Sequence, residues 1–312
     1  MKTESMSKKK SSRTAASSKV GRLLILSSKA GSMSPAVDVK LRKAFADHEV
    51  VEFDPRMRLL SMLTPAAQVI VAGGDGTVGW VTRALVDTDH SLGILGLGTF
   101  NNFAASVGMP RGIDAGIRAV KGGRAVPVTI GRINGMPFLE VAAIGMFGEA
   151  LQLGEAAKDM AFGKLSDKFA DVARAQPFRY RLSGDIEGHG AALSLVFANT
   201  TSTGARMTVA AGKTPIDPYL ELQVHAGETY RDLFKRMVKS AFNPDGQAPE
   251  LGMTFRFRKL RIETSPRARI FADSNSAGRT PAVIEAGVGA LRLLLPEPVA
   301  RKHRAAGAKK KA

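Results

Sequence analysis

The 312-residue chain reads as an α/β protein with a β-rich second half: a doubly wound parallel sheet in front, and a β-sandwich-like domain behind. Two patterns predict this. Up to about residue 122, short apolar runs alternate with helical spacings, as parallel strands joined by crossover helices do. Beyond "KGGRAVPV" the pattern changes to period-two alternation, as in Phe255-Arg256-Phe257-Arg258, which suits antiparallel strands with one wet face. The length favours two domains over one. The expected boundaries are a basic tail over 1–19, an α/β domain over 20–124, a β-rich domain over 125–298, and a second basic tail over 299–312.

Taken in order, "RLLILS" is a buried strand. "SPAVDVKLRKAF" is a helix, with Ser34 placed to cap it and Pro35 in its first turn. "VVEF" is a short strand, "QVIVA" a stronger one and "LGILGLG" another, with helical patterns over 77–87, 101–107 and 112–121. In the second half the strands are "VPVTIGRI", "FRYRLSGDI", "ALSLVFAN", "YLELQVHA", "GMTFRFRKLRIE", "ARIFAD" and "ALRLLLP". Helical stretches near 148–173 and 230–241 interrupt them.

The net charge of +17 points first to nucleic acid. Its distribution weakens that reading. Residues 1–22 carry seven Lys or Arg against one Glu, and residues 301–312 carry six and no acid, which leaves +5 for everything between. Such tails are usually solvated, and no aromatic is interleaved with them to stack on bases. A weak electrostatic tether to anionic lipid is the functional alternative. The absence of cysteine excludes disulfides, thiolate metal sites and cysteine nucleophiles. No apolar run approaches the roughly 18 residues that span a bilayer, so the expectation is a cytoplasmic protein.

The chemistry concentrates in "VIVAGGDGTVGW", residues 69–80. A strand ends in glycines and a helix follows, which is how backbone N–H groups and a helix N-terminus hold phosphate. Asp75 sits in the middle, and its plain reading is a turn or a helix cap. Two facts argue for more. The loop lies at the carboxyl end of a parallel strand, where open sheets bind ligands. A second loop, "GLGTFNNF" at 96–103, follows the very next strand, so the two would lie side by side and offer two sets of N–H groups to one polyphosphate.

Other matches fail. Gly74–Gly79 fits a dinucleotide fingerprint, but no acid falls between Asp89 and Asp114 to meet a ribose. "AAGKT", residues 210–214, ends like a P-loop, but Met207 stands where its first glycine belongs. The histidines show no metal spacing, and Trp80 reads as core.

On these residues the chain resembles the diacylglycerol kinase catalytic-domain family, a group of lipid kinases that includes sphingosine kinases and shares its fold with NAD kinases. Its GGDGT hallmark stands as Gly73-Gly74-Asp75-Gly76-Thr77, and "GLGTFNNFAASVGMP" is similar to its P-L-G-T-x-N-D-F-A segment. The resemblance implies ATP bound between an α/β domain and a β-sandwich, Mg²⁺, and transfer of the γ-phosphoryl group to a lipid hydroxyl. It implies nucleotide contacts from Gly31, Gly73, Gly74, Asp75, Gly76, Thr77, Gly98, Thr99 and Asn101, with Asp75 serving the metal. Asp273 matches the family's catalytic base, with Ser274 and Asn275 at its Gly and Glu positions. Asp217, in "IDPYLEL", matches a metal-associated Asp, and Glu221 takes the second acid. Amides stand at Asn102 and Asn275 where the family has acids, which leaves a nucleotide-binding pseudokinase as the alternative. A basic-tailed nucleic-acid binder is the alternative of another class.

The resemblance further implies a lipid acceptor, diacylglycerol-like or sphingoid, met at the surface of an anionic membrane, and allows a homodimer. "AIGMFGEALQLG" and "MAFGKLSDKF" suit a lipid pocket and suit an ordinary core equally well. "FRYR" and "RFRKLR" supply either a basic face toward lipid or the solvated side of a sheet.

Overall fold

The computed structural model describes residues 19–151, 176–203, 207–226, 253–273, 275–297 and 299. Both basic tails, "MAFGKLSDKF", the helical pattern at 230–241 and Ser274 lie outside the described residues. So does most of the pattern at 148–173, of which 146–151 is helical.

The first half runs β1 (Val20–Leu26), α1 (Pro35–Ala44), β2 (Glu49–Glu52), α2 (Leu59–Met62), β3 (Leu63–Gly73), α3 (Asp75–Leu85), β4 (Ser91–Gly96), α4 (Asn102–Ser106) and α5 (Ile113–Lys121). The second runs β5 (Arg124–Ile133), β6 (Met136–Phe138), β7 (Val141–Gly145), β8 (Phe178–Gly184), β9 (Gly188–Ala192), β10 (Ser194–Ala198), β11 (Ser202–Thr203), β12 (Met207–Thr208) and β13 (Leu220–His225). It closes with β14 (Met253–Phe257), β15 (Lys259–Ser265), β16 (Arg269–Ala272), β17 (Asn275–Arg279) and β18 (Ala282–Leu295).

The order β2-β1-β3-β4 is parallel throughout, as the alternating pattern predicts. Its central strands β1 and β3 are apolar on both faces: Leu23, Leu24, Ile25, Val69 and Val71 are fully buried, each such side chain stabilising the fold by about 1.5–3 kcal/mol. Helix α1 starts as expected, with the Ser34 hydroxyl accepting the Val37 N–H and Pro35 leading the first turn. Helices α3 and α5 pack on β3 and β4.

The second half builds an antiparallel sheet of order β14-β13-β10-β7-β16-β17. It faces the antiparallel β8, β15 and part of β18 across a shared core that includes Ile144, Phe197, Leu222, Leu260 and Ile284. The parallel sheet does not end at β4. The long strand β18 pairs parallel with β4 at Arg292 and Leu293, and antiparallel with β5 and β15. Its pairing with β5 shifts register between Gly287 and Leu291, around Gly289 at φ +74°. A glycine there lets one strand turn from one half of the protein into the other.

Two readings of the sequence change. Residues 252–263 are two strands, β14 and β15, in different sheets. The chain crosses between them at Arg258, where the Arg258 and Lys259 N–H groups both donate to Asp185 Oδ2 at 2.7 and 3.0 Å. Alternation alone does not see that anchor. The segment "AIGMFGEALQLG" begins inside β7, with Ala142, Ala143 and Ile144 fully buried, so its first residues are core. Among the described residues, no helix is long and apolar enough to cross a membrane.

Candidate active site

Strand β3 ends at Gly73, and Gly74 caps α3. The neighbouring β4 is in register, Gly73 against Gly96, and the Leu97 N–H donates to the Gly73 carbonyl at 2.8 Å. The two glycine loops therefore leave the sheet together. They touch through backbone: a Cβ added at Gly98 would fall 2.8 Å from Gly74 Cα. Only glycine permits that approach.

Asn101 holds the second loop shut. At φ +53°, it accepts the Gly98 N–H at 2.9 Å and returns its own amide to the Gly98 carbonyl at 2.7 Å. The first helical bond of α3 runs from Val78 N to Gly74 O. The N–H groups of Asp75, Gly76 and Thr77 precede it and have no partner within the helix. Added Cβ atoms at Gly76 and Gly31 would meet no protein atom within 4 Å. Both residues line a cavity of about 690 Å³, so the space beside these two glycines is open and not filled by packing.

Asp75 does two things at once. It opens α3, and it clamps the other loop: Oδ2 accepts the Asn101 N–H and Oδ1 the Asn102 N–H, both at 3.0 Å. The plain reading of a helix cap was right in kind, but the capped helix is α4, one strand over.

The opposite wall comes from the second half. Asp273, at φ +45° beyond β16, is the most heavily bonded side chain of the cavity. Its Oδ2 accepts from Arg83 Nη2 at 2.7 Å and Leu139 N at 2.6 Å; its Oδ1 accepts from Glu140 N at 2.8 Å and Val141 N at 3.2 Å. Arg83 lies in the last turn of α3, so one helix presents N–H groups to the cavity at its start and a guanidinium to Asp273 at its end. A left-handed backbone at an aspartate costs of order 1–3 kcal/mol, and these four bonds hold it there.

Glu140 lies between Asp273 and the loops and lines the cavity. Its Oε2 accepts from Thr203 Oγ1 at 2.7 Å and Asn102 Nδ2 at 3.5 Å. Burial, reinforced by the Asp273 and Asp75 charges, pushes its carboxyl up to about 8.

Of the residues the sequence singles out, Gly31, Gly74, Asp75, Gly76, Thr77, Gly98, Thr99 and Asp273 line one cavity, joined by Asn102 and Asn275. Gly73 and Asn101 sit directly behind it. Trp80, expected in the core, does both jobs: it packs edge-on against Phe53 and lines the cavity. Glu140 and Arg83 escaped sequence reasoning. "FLEV" gives no pattern for the first, and Arg83 reads as a helix-surface cation. Lys29 also lines the cavity.

Asp217 is the correction. It is not part of the cavity wall; it accepts the Thr214 N–H at 3.0 Å and lies 3.8 Å from the Lys213 ammonium. Burial lowers Lys213 to about 8 against the opposing pull of Asp217 and Glu221, so it is mostly a cation at pH 7. Among the described residues, no three acids or histidines gather into a metal cluster. The cavity's carboxylates fit a divalent ion that arrives with a polyphosphate and keeps much of its water, as Mg²⁺ commonly does.

Comparison with known proteins agrees with this architecture. The sequence model of the diacylglycerol kinase catalytic domain matches residues 23–133. A Klebsiella pneumoniae (strain 342) protein named "probable lipid kinase YegS-like" is 29% identical over 216 residues, covering 67% of this chain and 70% of that protein. A "probable lipid kinase YegS" of Escherichia coli O9:H4 (strain HS) is 30% identical over 183 residues, 56% of this chain and 61% of its own length. The crystal structure of a diacylglycerol kinase from Bacillus anthracis str. Sterne superposes with a TM-score of 0.67 over 89% of this chain and 98% of that one; at 21% identity it speaks for the fold alone. Alongside glycine loops that abut and a carboxylate wall opposite, residues 23–133 match the diacylglycerol kinase catalytic domain, and the chain is similar over most of its length to proteins named as probable lipid kinases.

Proposed function

We propose that this kinase uses ATP and Mg²⁺ to phosphorylate a lipid hydroxyl in the cavity between the two glycine loops and Asp273. The observation that carries the reading is the contact of the loops: two strand ends merge into one surface, where α3 presents its first N–H groups, with a carboxylate wall opposite. The N–H groups of Asp75, Gly76 and Thr77, with the positive end of α3, bind the polyphosphate. Thr99 and the Gly98 loop confine it from the other side. Bound Mg²⁺ would be held through Asp75 and the phosphates, and would neutralise charge on the transferring group. Gly31 and Lys29 border the nucleotide.

The acceptor hydroxyl must lose a proton as its oxygen bonds to phosphorus and the bond to ADP breaks. A carboxylate of the second-half wall takes it. The resemblance assigns that role to Asp273, which Arg83 and three backbone N–H groups orient. Glu140, beside it, is mostly protonated at neutral pH, because burial raises it to about 8, and leaves that role to Asp273. Lipid arrives from a membrane surface, which the exposed arginines of β8 and β15 favour when it is anionic.

Incubating the full chain with γ-labelled ATP, Mg²⁺ and fractionated lipids should label one lipid class. Nucleotide binding without a labelled product from any fraction would favour the pseudokinase reading, to which the amides at Asn102 and Asn275 point. Absence of nucleotide binding would end both.

A further inference from the structure

Lys213, dismissed above as the end of a failed P-loop motif, has a completely buried side chain. The turn that carries it in is built for the purpose. Gly212 takes φ +74°, and the Lys213 N–H closes on the Ala210 carbonyl at 3.0 Å. The ammonium then meets only oxygen among its polar neighbours in the described residues. It donates to the Thr214 carbonyl at 2.6 Å and the Asn199 carbonyl at 3.3 Å, and Asp217 Oδ2 lies 3.8 Å away. The Tyr219 ring faces it at 5.4 Å.

Two carbonyls and a carboxylate around one buried point are the donors that hard metal ions select. They are also what a desolvated ammonium needs, since an unpaired buried charge is strongly destabilising. They cannot serve both. A divalent ion on these oxygens would sit within a few ångström of a fully buried ammonium, where like charges repel strongly. The residues therefore do not fit the metal that the family resemblance assigns to Asp217.

We infer that the Lys213 ammonium is the resident cation of this pocket and occupies the place of a structural metal ion, so that the second half carries its own cation in its sequence. The pocket supports the active-site wall. The Asn199 side-chain amide donates to the Leu139 carbonyl at 3.0 Å and the Thr129 carbonyl at 2.9 Å, and the Asn199 N–H donates to the Glu140 carbonyl at 2.8 Å. Leu139 and Glu140 are the residues whose N–H groups hold Asp273. The turn is tied to β5 as well: the Thr129 N–H donates to the Pro215 carbonyl and its hydroxyl to the Asp217 carbonyl, both at 2.7 Å.

Thermal unfolding of the full chain tests this without any activity assay, and so independently of the kinase reading. Wild type should melt at the same temperature whether as purified, with no chelator added, or in excess EDTA. Any shift that added Mg²⁺ or Ca²⁺ causes should persist in Asp217→Asn. Lys213→Ala should lower the midpoint by about 10 °C, the loss expected for breaking a buried ion pair in a chain of this size. Mg²⁺ or Ca²⁺ should then restore much of that loss in Lys213→Ala, and none of it in Lys213→Ala/Asp217→Asn. A wild-type midpoint that falls in EDTA, recovers with Mg²⁺ and loses that response in Asp217→Asn would overturn the inference. So would a folded Lys213→Ala protein indifferent to divalent ions. If Lys213→Ala does not fold even with divalent ions present, the wild-type and Asp217→Asn melts still decide.

Discussion

The two walls of the cavity are built by different means. The first-half wall is made of backbone: glycines at 74, 76 and 98, helix N–H groups, and one carboxylate turned inward to clamp a neighbouring loop. The second-half wall is made of side chains, Asp273 and Glu140, held by partners that are distant in sequence. Arg83 and Asp273 are 190 positions apart. The contrast shows where each kind of change will hurt. Backbone walls fail when bulk is added. Side-chain walls fail when charge is removed.

The sharpest break in that comparison comes from two glycine variants. Gly98→Ala drives a Cβ to within 2.8 Å of Gly74 Cα; it should separate the loops and weaken nucleotide binding by 100-fold or more, on the order of 3 kcal/mol. Gly76→Ala meets no protein atom. It should leave the melting temperature unchanged and still cut nucleotide affinity, measured calorimetrically. Equal affinity in both variants would mean that the loops hold no ligand.

Removing charge from the other wall comes next. Asp273→Asn keeps the shape but loses the charge that Arg83 meets. It should lower kcat by roughly 10²–10⁴-fold, the usual contribution of a positioned acid or base, with nucleotide affinity little changed. Glu140→Gln in the same steady-state assay separates the two groups: with Glu140 already mostly protonated at neutral pH, it should cost kcat less than Asp273→Asn does, and a larger loss would reassign the proton acceptor. Asp75 belongs to both walls by function. Because it clamps the second loop, Asp75→Ala should lose nucleotide affinity together with turnover, whereas a purely metal-binding carboxylate would spare affinity.

A smaller effect distinguishes the walls by pH. Glu140 is raised from 4.5 to about 8, so across that window the folded protein keeps a proton that the unfolded chain has released. Stability attributable to this group is full below pH 4.5 and declines as pH rises toward 8. Urea melts of Glu140→Gln should be flatter over the same window. A wild-type stability that rises relative to the variant would reverse the assignment. The smallest effect is expected from deleting residues 1–18 and 301–312, which should leave turnover on detergent-solubilised lipid within about twofold, a change under 0.5 kcal/mol.

The same division explains what the sequence could show. Glycine loops and the Ser34 cap are local devices, legible within a few residues. So was the parallel pairing of the first strands, because apolar runs alternate there with helical spacings. Glu140 was not legible: its neighbours in sequence are apolar, and its meaning comes from Thr203 and Asn102 arriving from elsewhere. Lys213 matched a phosphate motif in part, and only burial shows that its cation looks inward. The break at Arg258 depends on Asp185, more than 70 positions earlier.

Strand β18 carries a consequence for biosynthesis. It lies beside β4 in the parallel sheet, yet a ribosome makes it only after all the intervening strands of the second half. Until it emerges, β4 is a raw sheet edge, and such edges recruit other chains. A nascent first half must therefore wait, exposed, for its closing neighbour, and a gene cut near residue 124 would encode a product prone to aggregate before it could ever meet a nucleotide.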